Sequence, residues 1–216
     1  MEAREAILAR IHDALTRSQT APAPPAPRAY RLRSAVAPGS DAAIALLIDR
    51  LEDYRAGVRE CDDAALPGVL AALLAGAGSV VVPPALPAGW VAAVRAAGAE
   101  ARTDTPDAPL SHARLDETGA VLTGARVAVA ETGTIVLDAT ADQGRRALTL
   151  VPDHHVCVLR RDQVVATVPE AVAILGEHPT RPLTWIAGPS ATSDIELVRV
   201  EGVHGPRRLD VVILGP

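Results

Sequence analysis

The chain has 216 residues, of which 49% are hydrophobic and 2% aromatic, and its formal net charge is -5 with no Lys at any position. This length and apolar content allow one well-packed globular domain and exclude a largely disordered protein. The acidic balance and scarce aromatics argue against nucleic-acid binding, and the missing Lys excludes Schiff-base chemistry and a Walker-type phosphate loop. Arg must therefore carry any anion binding.

The two cysteines, Cys61 and Cys157, stand far apart without a CxxC motif. This usage is typical of a reducing compartment and supplies neither a zinc nor an iron–sulfur ligand set. Charged residues interrupt the apolar ones near the N-terminus, and no apolar run reaches the roughly 18 residues that a membrane span needs. We expect a cytoplasmic protein without a membrane span, metal or cofactor of its own.

The first 30 residues predict an arm in front of the main domain. Residues 2–17 follow the period of an amphipathic helix, with four apolar side chains on one face. These are Ile7, Leu8, Ile11 and Leu15. The sequence APAPPAPR at 21–28 predicts an extended spacer. We therefore divide the chain into an arm, 1–30, and an α/β domain, 31–216, and the apolar face packs either on its own domain or on a partner subunit.

Helices and strands alternate through the α/β domain. Ser40 is a good N-cap for a helix that runs from Asp41 to about Ala56. The elements expected after it are a strand near 58, a helix at 66–75, a strand at 79–83, a helix ending at 98, strands at 127–131, 134–138 and 155–159, a helix at 169–176, and strands at 184–188 and 209–214. This order predicts an open, mostly parallel sheet flanked by helices, with ligands beyond the carboxyl ends of the strands.

The first motif is AVAETGTIVLDA at 128–139, in which two apolar runs are joined by a polar turn. The turn contains Glu131, Thr132, Gly133 and Thr134. Gly133 permits a positive φ, so a tight turn would place a carboxylate and two hydroxyls at a strand end. The motif fits either a binding site or an ordinary hairpin turn that faces water.

The second motif, ADQGRRALTLVPDHHVCV at 141–158, contains Gly144, Arg145 and Arg146 and leads toward a strand. The guanidinium fork suits a carboxylate or a phosphate, and the alternative for one of the two arginines is a plain surface charge. His155 alternates with apolar residues, which fits either a ligand contact or a hydrogen-bonded, half-buried side chain. The adjacent His154 points to the opposite face of a strand, so the pair does not share a metal.

The third motif is GPSATSDIELVRVEGVHGPRR at 188–208, where two Gly-Pro turns flank a polar stretch. A hydroxyl that caps the short turn SDIEL would leave N–H groups free to attract an anion, and the carboxylates would complement that helix start. The polar candidates are Ser190, Asp194, Glu196 and His204, and the turn residues are Gly188, Pro189, Gly202, Gly205 and Pro206. The Gly-Pro pairs indicate a loop shaped around a ligand.

In this order, the segments AETGTIVL, QGRRALTLVPDHHVCV, GPSATSDIE and GVHGPRRLDVVIL resemble the LUD-domain family from about Ser40 to the end. The resemblance implies a fold similar to the sugar-phosphate isomerase and CoA-transferase group. It also implies a role in oxidising L-lactate to pyruvate, in a complex whose other two subunits carry iron–sulfur clusters. Residues that match the family motifs are Glu131, Thr132, Gly133, Thr134, Gly144, Arg145, His155, Gly188, Pro189, Ser190, Asp194, Glu196, Gly202, His204, Gly205 and Pro206.

Three functions remain open at this stage. The chain is a non-redox subunit of a lactate-oxidising complex that binds a small anionic ligand, with Glu131 and His204 as candidate catalytic residues. Alternatively, it is a stand-alone isomerase or acyl-transfer enzyme that uses Glu131 as nucleophile or base. In the third alternative it is a regulatory module that holds a metabolite without converting it. The missing cluster cysteines and nucleotide motifs favour a chain that does not oxidise lactate alone.

Overall fold

The computed structural model describes residues 3–18, 24–188 and 205–215, and the chain divides into two units, 1–30 and 31–216. Within the described residues, the strands are β1 (Gly57–Cys61), β2 (Ser79–Val82), β3 (Glu100–Thr103), β4 (Ala120–Thr123), β5 (Val127–Val129), β6 (Thr134–Leu137), β7 (His154–Arg160), β8 (Val164–Val165), β9 (Thr184–Ile186) and β10 (Arg208–Leu214). The helices are α1 (Ala3–Ser18), α2 (Asp41–Asp53), α3 (Leu66–Leu74), α4 (Ala88–Ala96), α5 (His112–Asp116), α6 (Arg146–Leu150) and α7 (Val168–Leu175).

Helix α1 is the element of the first unit, and it buries none of its residues. The four apolar side chains predicted to share a face are 48–66% exposed. None of the described helices is long and apolar enough to cross a bilayer.

The second unit is built on a six-stranded sheet in the order β1-β10-β7-β4-β2-β3, in which every neighbouring pair is parallel. Its central strands read as apolar runs because helices cover both faces. Helix α2 contributes to the cluster on one face, and helices α3 and α4 contribute to the cluster on the other. The predicted α/β fold with a mostly parallel sheet is confirmed.

The start of helix α2 is set by its cap. The Ser40 Oγ accepts a hydrogen bond of 3.3 Å from the Ala43 N–H, as the sequence predicts for an N-cap serine. Four apolar residues of the helix then face the core. They are Ala43, Ile44, Leu47 and Leu51.

A second sheet of four strands, in the order β8-β5-β6-β9, was not predicted as a separate sheet. Strand β6 pairs antiparallel with both β5 and β9, whereas β8 is parallel to β5. The hairpin between β5 and β6 explains the separation, because two strands joined by a tight turn must run antiparallel. Helix α7 packs on this sheet through Ala171 and Leu175.

Candidate functional site

A cavity of about 230 Å³ lies between the starts of β7 and β10 in the large sheet and strand β9 of the small sheet. The described residues that line it are Thr149, Leu150, His155, Thr184, Trp185, Ile186, Ala187, Gly188, Gly205, Pro206 and Leu209. Four residues that match the family motifs therefore meet at one place: His155, Gly188, Gly205 and Pro206.

The position of this cavity differs from the expected one. His155 and Leu209 are each the second residue of their strand, so the cavity lies at the amino ends of β7 and β10. Ligands of open parallel sheets usually lie beyond the carboxyl ends. Here strand β9 of the second sheet lies beside the amino ends of β7 and β10 and forms one wall of the cavity.

His155 is the polar side chain buried most deeply in the cavity wall. It is 0% exposed, and its Nε2 lies 2.8 Å from Thr123 Oγ1. Its Nδ1 is also buried, and among the residues that the structure describes it has no hydrogen-bond partner. Burial, with a smaller contribution from neighbouring His154, lowers the pKa of His155 to about 3. The imidazole is therefore neutral at physiological pH and carries a single N–H proton, on either Nδ1 or Nε2.

The Glu131 motif forms the predicted hairpin between β5 and β6. Gly133 has a φ of +62° and ends a 3-10 turn at Ala130–Thr132. A Cβ at Gly133 would lie 2.8 Å from the Cβ of Arg50, so no other residue fits there without movement. The Thr132 and Thr134 hydroxyls lie 2.8 Å apart and bond to each other. The predicted hairpin turn with a positive φ at Gly133 is therefore confirmed.

The Glu131 carboxylate is held by Arg31. One Nη of Arg31 donates to both carboxylate oxygens, at 2.9 and 2.7 Å. The backbone N–H of Glu131 donates to the Ala166 carbonyl at 3.0 Å, which ties the turn to the end of β8. Glu131 thus lies on a well-anchored turn, paired with a cation, and outside the lining of the cavity.

Tyr54, which was not among the predicted site residues, connects this turn with the cavity wall. Its hydroxyl donates a 2.8 Å hydrogen bond to the Gly133 carbonyl. A Cβ built on Gly188, whose φ is +108°, would lie 3.7 Å from the Cβ and Cγ of Tyr54. Burial raises the pKa of Tyr54, so its hydroxyl stays protonated and remains a donor. The available signal was a tyrosine, one of only 2, at the end of an apolar helix face.

Arg145 lies elsewhere and is bound within the protein. Its Nε and Nη2 each donate to the buried carboxylate of Asp104 at 2.9 Å, and Nη2 also donates to the Leu110 carbonyl at 2.5 Å. Hydrogen bonding to Asp104 raises the pKa of Arg145. The motif leads toward strand β7, as predicted, and the short helix α6, which the sequence did not indicate, lies between them and brings Thr149 to the cavity. The guanidinium holds a carboxylate, as its chemistry predicts, and that carboxylate belongs to the protein itself.

Gly144, which precedes this arginine, also has a positive φ, +72°. A Cβ there would lie 2.7 Å from the Leu148 Cδ2. Gly144 therefore lets the chain turn closely into α6.

His154 faces the other side of the sheet, as alternation along a strand predicts. Its Nε2 lies 2.7 Å from the Asp210 Oδ2, which also accepts a 2.7 Å bond from the Arg208 Nε. Burial raises the pKa of Asp210, but the bond to His154 and the charge of Arg208 outweigh it, and the net pKa is lowered. Gly57 makes room for this cluster, since a Cβ there would lie 2.1 Å from the Asp210 Oδ1.

A recess of about 390 Å³ lies at the carboxyl ends of β7 and β10. Its described lining includes Arg160, Arg161 and Asp162. Arg161 donates to the Gly39 carbonyl at 2.8 Å and pairs with Asp41, and Arg160 lies 3.6 Å from Asp162. Both arginines of this recess thus already pair with carboxylates of the protein, and none of the predicted site residues is among its described lining.

The remaining predicted site residues lie outside the described residues. They are Pro189, Ser190, Asp194, Glu196, Gly202 and His204. In the ranges that the structure describes, no group of three His, Cys, Asp or Glu side chains is placed to hold a metal. Burial raises the pKa of the Cys157 thiol to about 12, so this cysteine stays protonated.

Comparison with known proteins shows the family of this chain. A family model described as the LUD domain matches residues 44–214. Lactate utilization protein C of Deinococcus radiodurans is 54% identical over 169 residues, which cover 77% of this chain and 77% of that protein. Lactate utilization protein C of Anoxybacillus flavithermus is 33% identical and covers 43% of this chain and 42% of that protein.

The fold is also similar to a solved structure. The crystal structure of a DUF162 family protein from Deinococcus radiodurans has 45% sequence identity and a TM-score of 0.69. The match covers 81% of this chain and 97% of that one. Most of the chain, and the fold described above, therefore has a counterpart in an experimental structure.

Proposed function

Because the chain belongs to the LUD-domain family, we propose that it acts in lactate utilization, as the non-redox subunit of an assembly that oxidises L-lactate to pyruvate. The observation that carries this proposal is the 54% identity, over 77% of both chains, to a protein named lactate utilization protein C. The expected partners are two subunits that carry iron–sulfur clusters.

The chemistry of the chain supports a division of labour. Oxidation of a 2-hydroxy acid removes two electrons, and an iron–sulfur cluster that would accept them is normally held by about four Cys thiolates. The whole sequence has 2 cysteines, and the thiol of Cys157 is held protonated by burial. The electrons would therefore pass to the partner subunits, while this chain contributes a binding site and a docking surface.

The cavity beside His155 is the ligand site in this proposal. It gathers four residues that match family motifs, and Tyr54 links its wall to a fifth such residue, Gly133. A ligand there would contact the starts of β7 and β10 as well as β9. Ligand binding would thus stabilise the packing of the two sheets against each other and could control assembly.

Growth and purification test the proposal together. Deleting the gene should abolish growth on L-lactate and leave growth on pyruvate intact, because pyruvate enters after the oxidation step. The wild-type gene on a plasmid should restore growth, and the tagged protein should co-purify with cluster-bearing subunits. Normal growth of the deletion strain on L-lactate would contradict the proposed function.

A further inference from the structure

We propose that the cavity beside His155 takes the uncharged end of its ligand: a planar, largely apolar group with one hydroxyl, carbonyl or amide that pairs with the free imidazole nitrogen. The inference rests on the proposed function only in taking this cavity as the ligand site. It goes beyond that function by naming the chemical class that the site accepts.

The size and lining of the cavity favour a small ring. An apolar cavity of roughly 150 Å³ holds one benzene molecule, so about 230 Å³ gives room for a ring with a substituent. Leu150, Ile186 and Leu209 supply apolar walls, and Trp185, which is 42% exposed, also lines the cavity. The ring would lie between β9 and the starts of the two central strands.

The charge of the described lining argues against a buried anion. Its side chains are apolar or neutral, and His155 is the titratable group among them. Burial keeps this imidazole neutral at physiological pH. Transfer of an unpaired carboxylate from water into such surroundings is strongly unfavourable. Any acidic group of the ligand would therefore stay outside this part of the cavity.

The buried nitrogen of His155 specifies the polar group. Nε2 is occupied by Thr123, whereas Nδ1 is buried and has no partner within residues 3–18, 24–188 and 205–215. Buried polar atoms in folded proteins are almost always hydrogen-bonded, and an exception calls for a functional explanation. A hydroxyl suits either tautomer of the imidazole, because it both donates and accepts.

Three probes of similar size separate the possibilities. Phenol carries a neutral hydroxyl, toluene has no polar group, and benzoate is an anion at neutral pH. We expect the full-length protein to bind phenol about fivefold to tenfold more tightly than toluene in calorimetric titrations, which corresponds to one net hydrogen bond. Benzoate should bind most weakly, and phenol should shift the 15N resonance of His155 Nδ1.

Two variants assign the selectivity to this nitrogen. His155→Leu replaces the imidazole with an apolar side chain of similar size. Toluene should therefore still bind, while the preference for phenol disappears. Thr184→Val removes a hydroxyl from the same cavity at constant volume and should preserve the preference. Should the His155 variant fail to fold, the wild-type titrations and the 15N shift still decide.

Equal affinity for phenol and toluene, benzoate as the tightest probe, or no binding of any probe would each overturn the inference. These titrations use the purified chain alone, so their outcome is independent of growth on lactate. Loss of lactate growth together with failed titrations would leave the proposed function standing and remove only the ligand class.

Discussion

The cluster of His154, Asp210 and Arg208 makes the sharpest stability prediction, because one carboxylate oxygen serves both partners. Asp210 is 4% exposed and accepts bonds of 2.7 Å from each of the other two side chains. The substitution Asp210→Asn preserves the shape of the side chain and removes its charge. The cation of Arg208 would then lose its counter-ion, and His154 would lose a charged acceptor.

The magnitude follows from burial. Breaking a fully buried ion pair costs about 3–5 kcal/mol, but the Arg208 side chain is 60% exposed and can be rehydrated by water. We therefore expect Asp210→Asn to lower the free energy of unfolding by about 2–3 kcal/mol, mostly from the bond to His154. For a chain of this size, the melting temperature would fall by about 4–12 °C.

A neighbouring carboxylate provides the control. Asp153 pairs with Arg207 at 3.3 Å, and both side chains are more than 60% exposed. Asp153→Asn should cost no more than about 0.5 kcal/mol, because water screens an exposed pair. Urea denaturation of both variants measures the contrast. Equal losses for the two substitutions, or an unchanged stability of Asp210→Asn, would refute the reasoning.

Acid denaturation gives an independent check on the same cluster. The pKa of Asp210 is lowered in the folded state, so its ionised form stabilises the fold above the ordinary aspartate pKa of about 3.9. This stabilisation is lost as the pH falls through the lowered folded value. The difference between wild type and Asp210→Asn should therefore shrink below about pH 4, and a difference that persists there would contradict the assignment.

Three further predictions concern the Glu131 turn, each measured by urea denaturation. Gly133→Ala should lower the free energy of unfolding by about 1–3 kcal/mol, because φ is +62° and the added Cβ would meet Arg50. An unchanged free energy of unfolding would contradict that strain. Tyr54→Phe should lower the free energy of unfolding by about 1–2 kcal/mol, because it leaves the buried Gly133 carbonyl unpaired. A crystal structure of this variant should show an unchanged 3-10 turn. Glu131→Gln should cost less than about 1 kcal/mol, since its partner Arg31 is exposed; a larger loss would indicate a structural role beyond this pair.

Local patterns predicted the elements whose causes are local. The cap at Ser40, the hairpin at Gly133 and the helix at 168–175 depend on residues a few positions apart, and each is confirmed. Strand β3 was missed because its sequence EART lacks the apolar run of a buried strand and lies at the sheet edge. Helix α5 has only 5 residues, too few to establish a helical period.

The candidate site was predicted only in part, because local motifs identify single residues and not the distant residues that they contact. His155, Gly188 and Gly205 were identified by motif, but the sequence did not indicate that they share a cavity. Arg145 was expected to serve a ligand, and its nearest carboxylate is Asp104, 41 residues away in the chain. Partners so distant in sequence leave no periodic signal, so a free arginine and a paired one look alike.

The sequence by itself determined the α/β class, the order of most elements, the family and the faces to which His154 and His155 point, because these depend on local periodicity and ordered motifs. Only the tertiary structure decided that the strands form two sheets and that the cavity lies at the amino ends of β7 and β10. It also decided that His154 bonds to a carboxylate and His155 to a hydroxyl, and that Nδ1 of His155 is buried without a partner among the described residues. The physical reason is that strand pairing and burial are set by contacts between distant segments, such as His154 with Asp210 and His155 with Thr123.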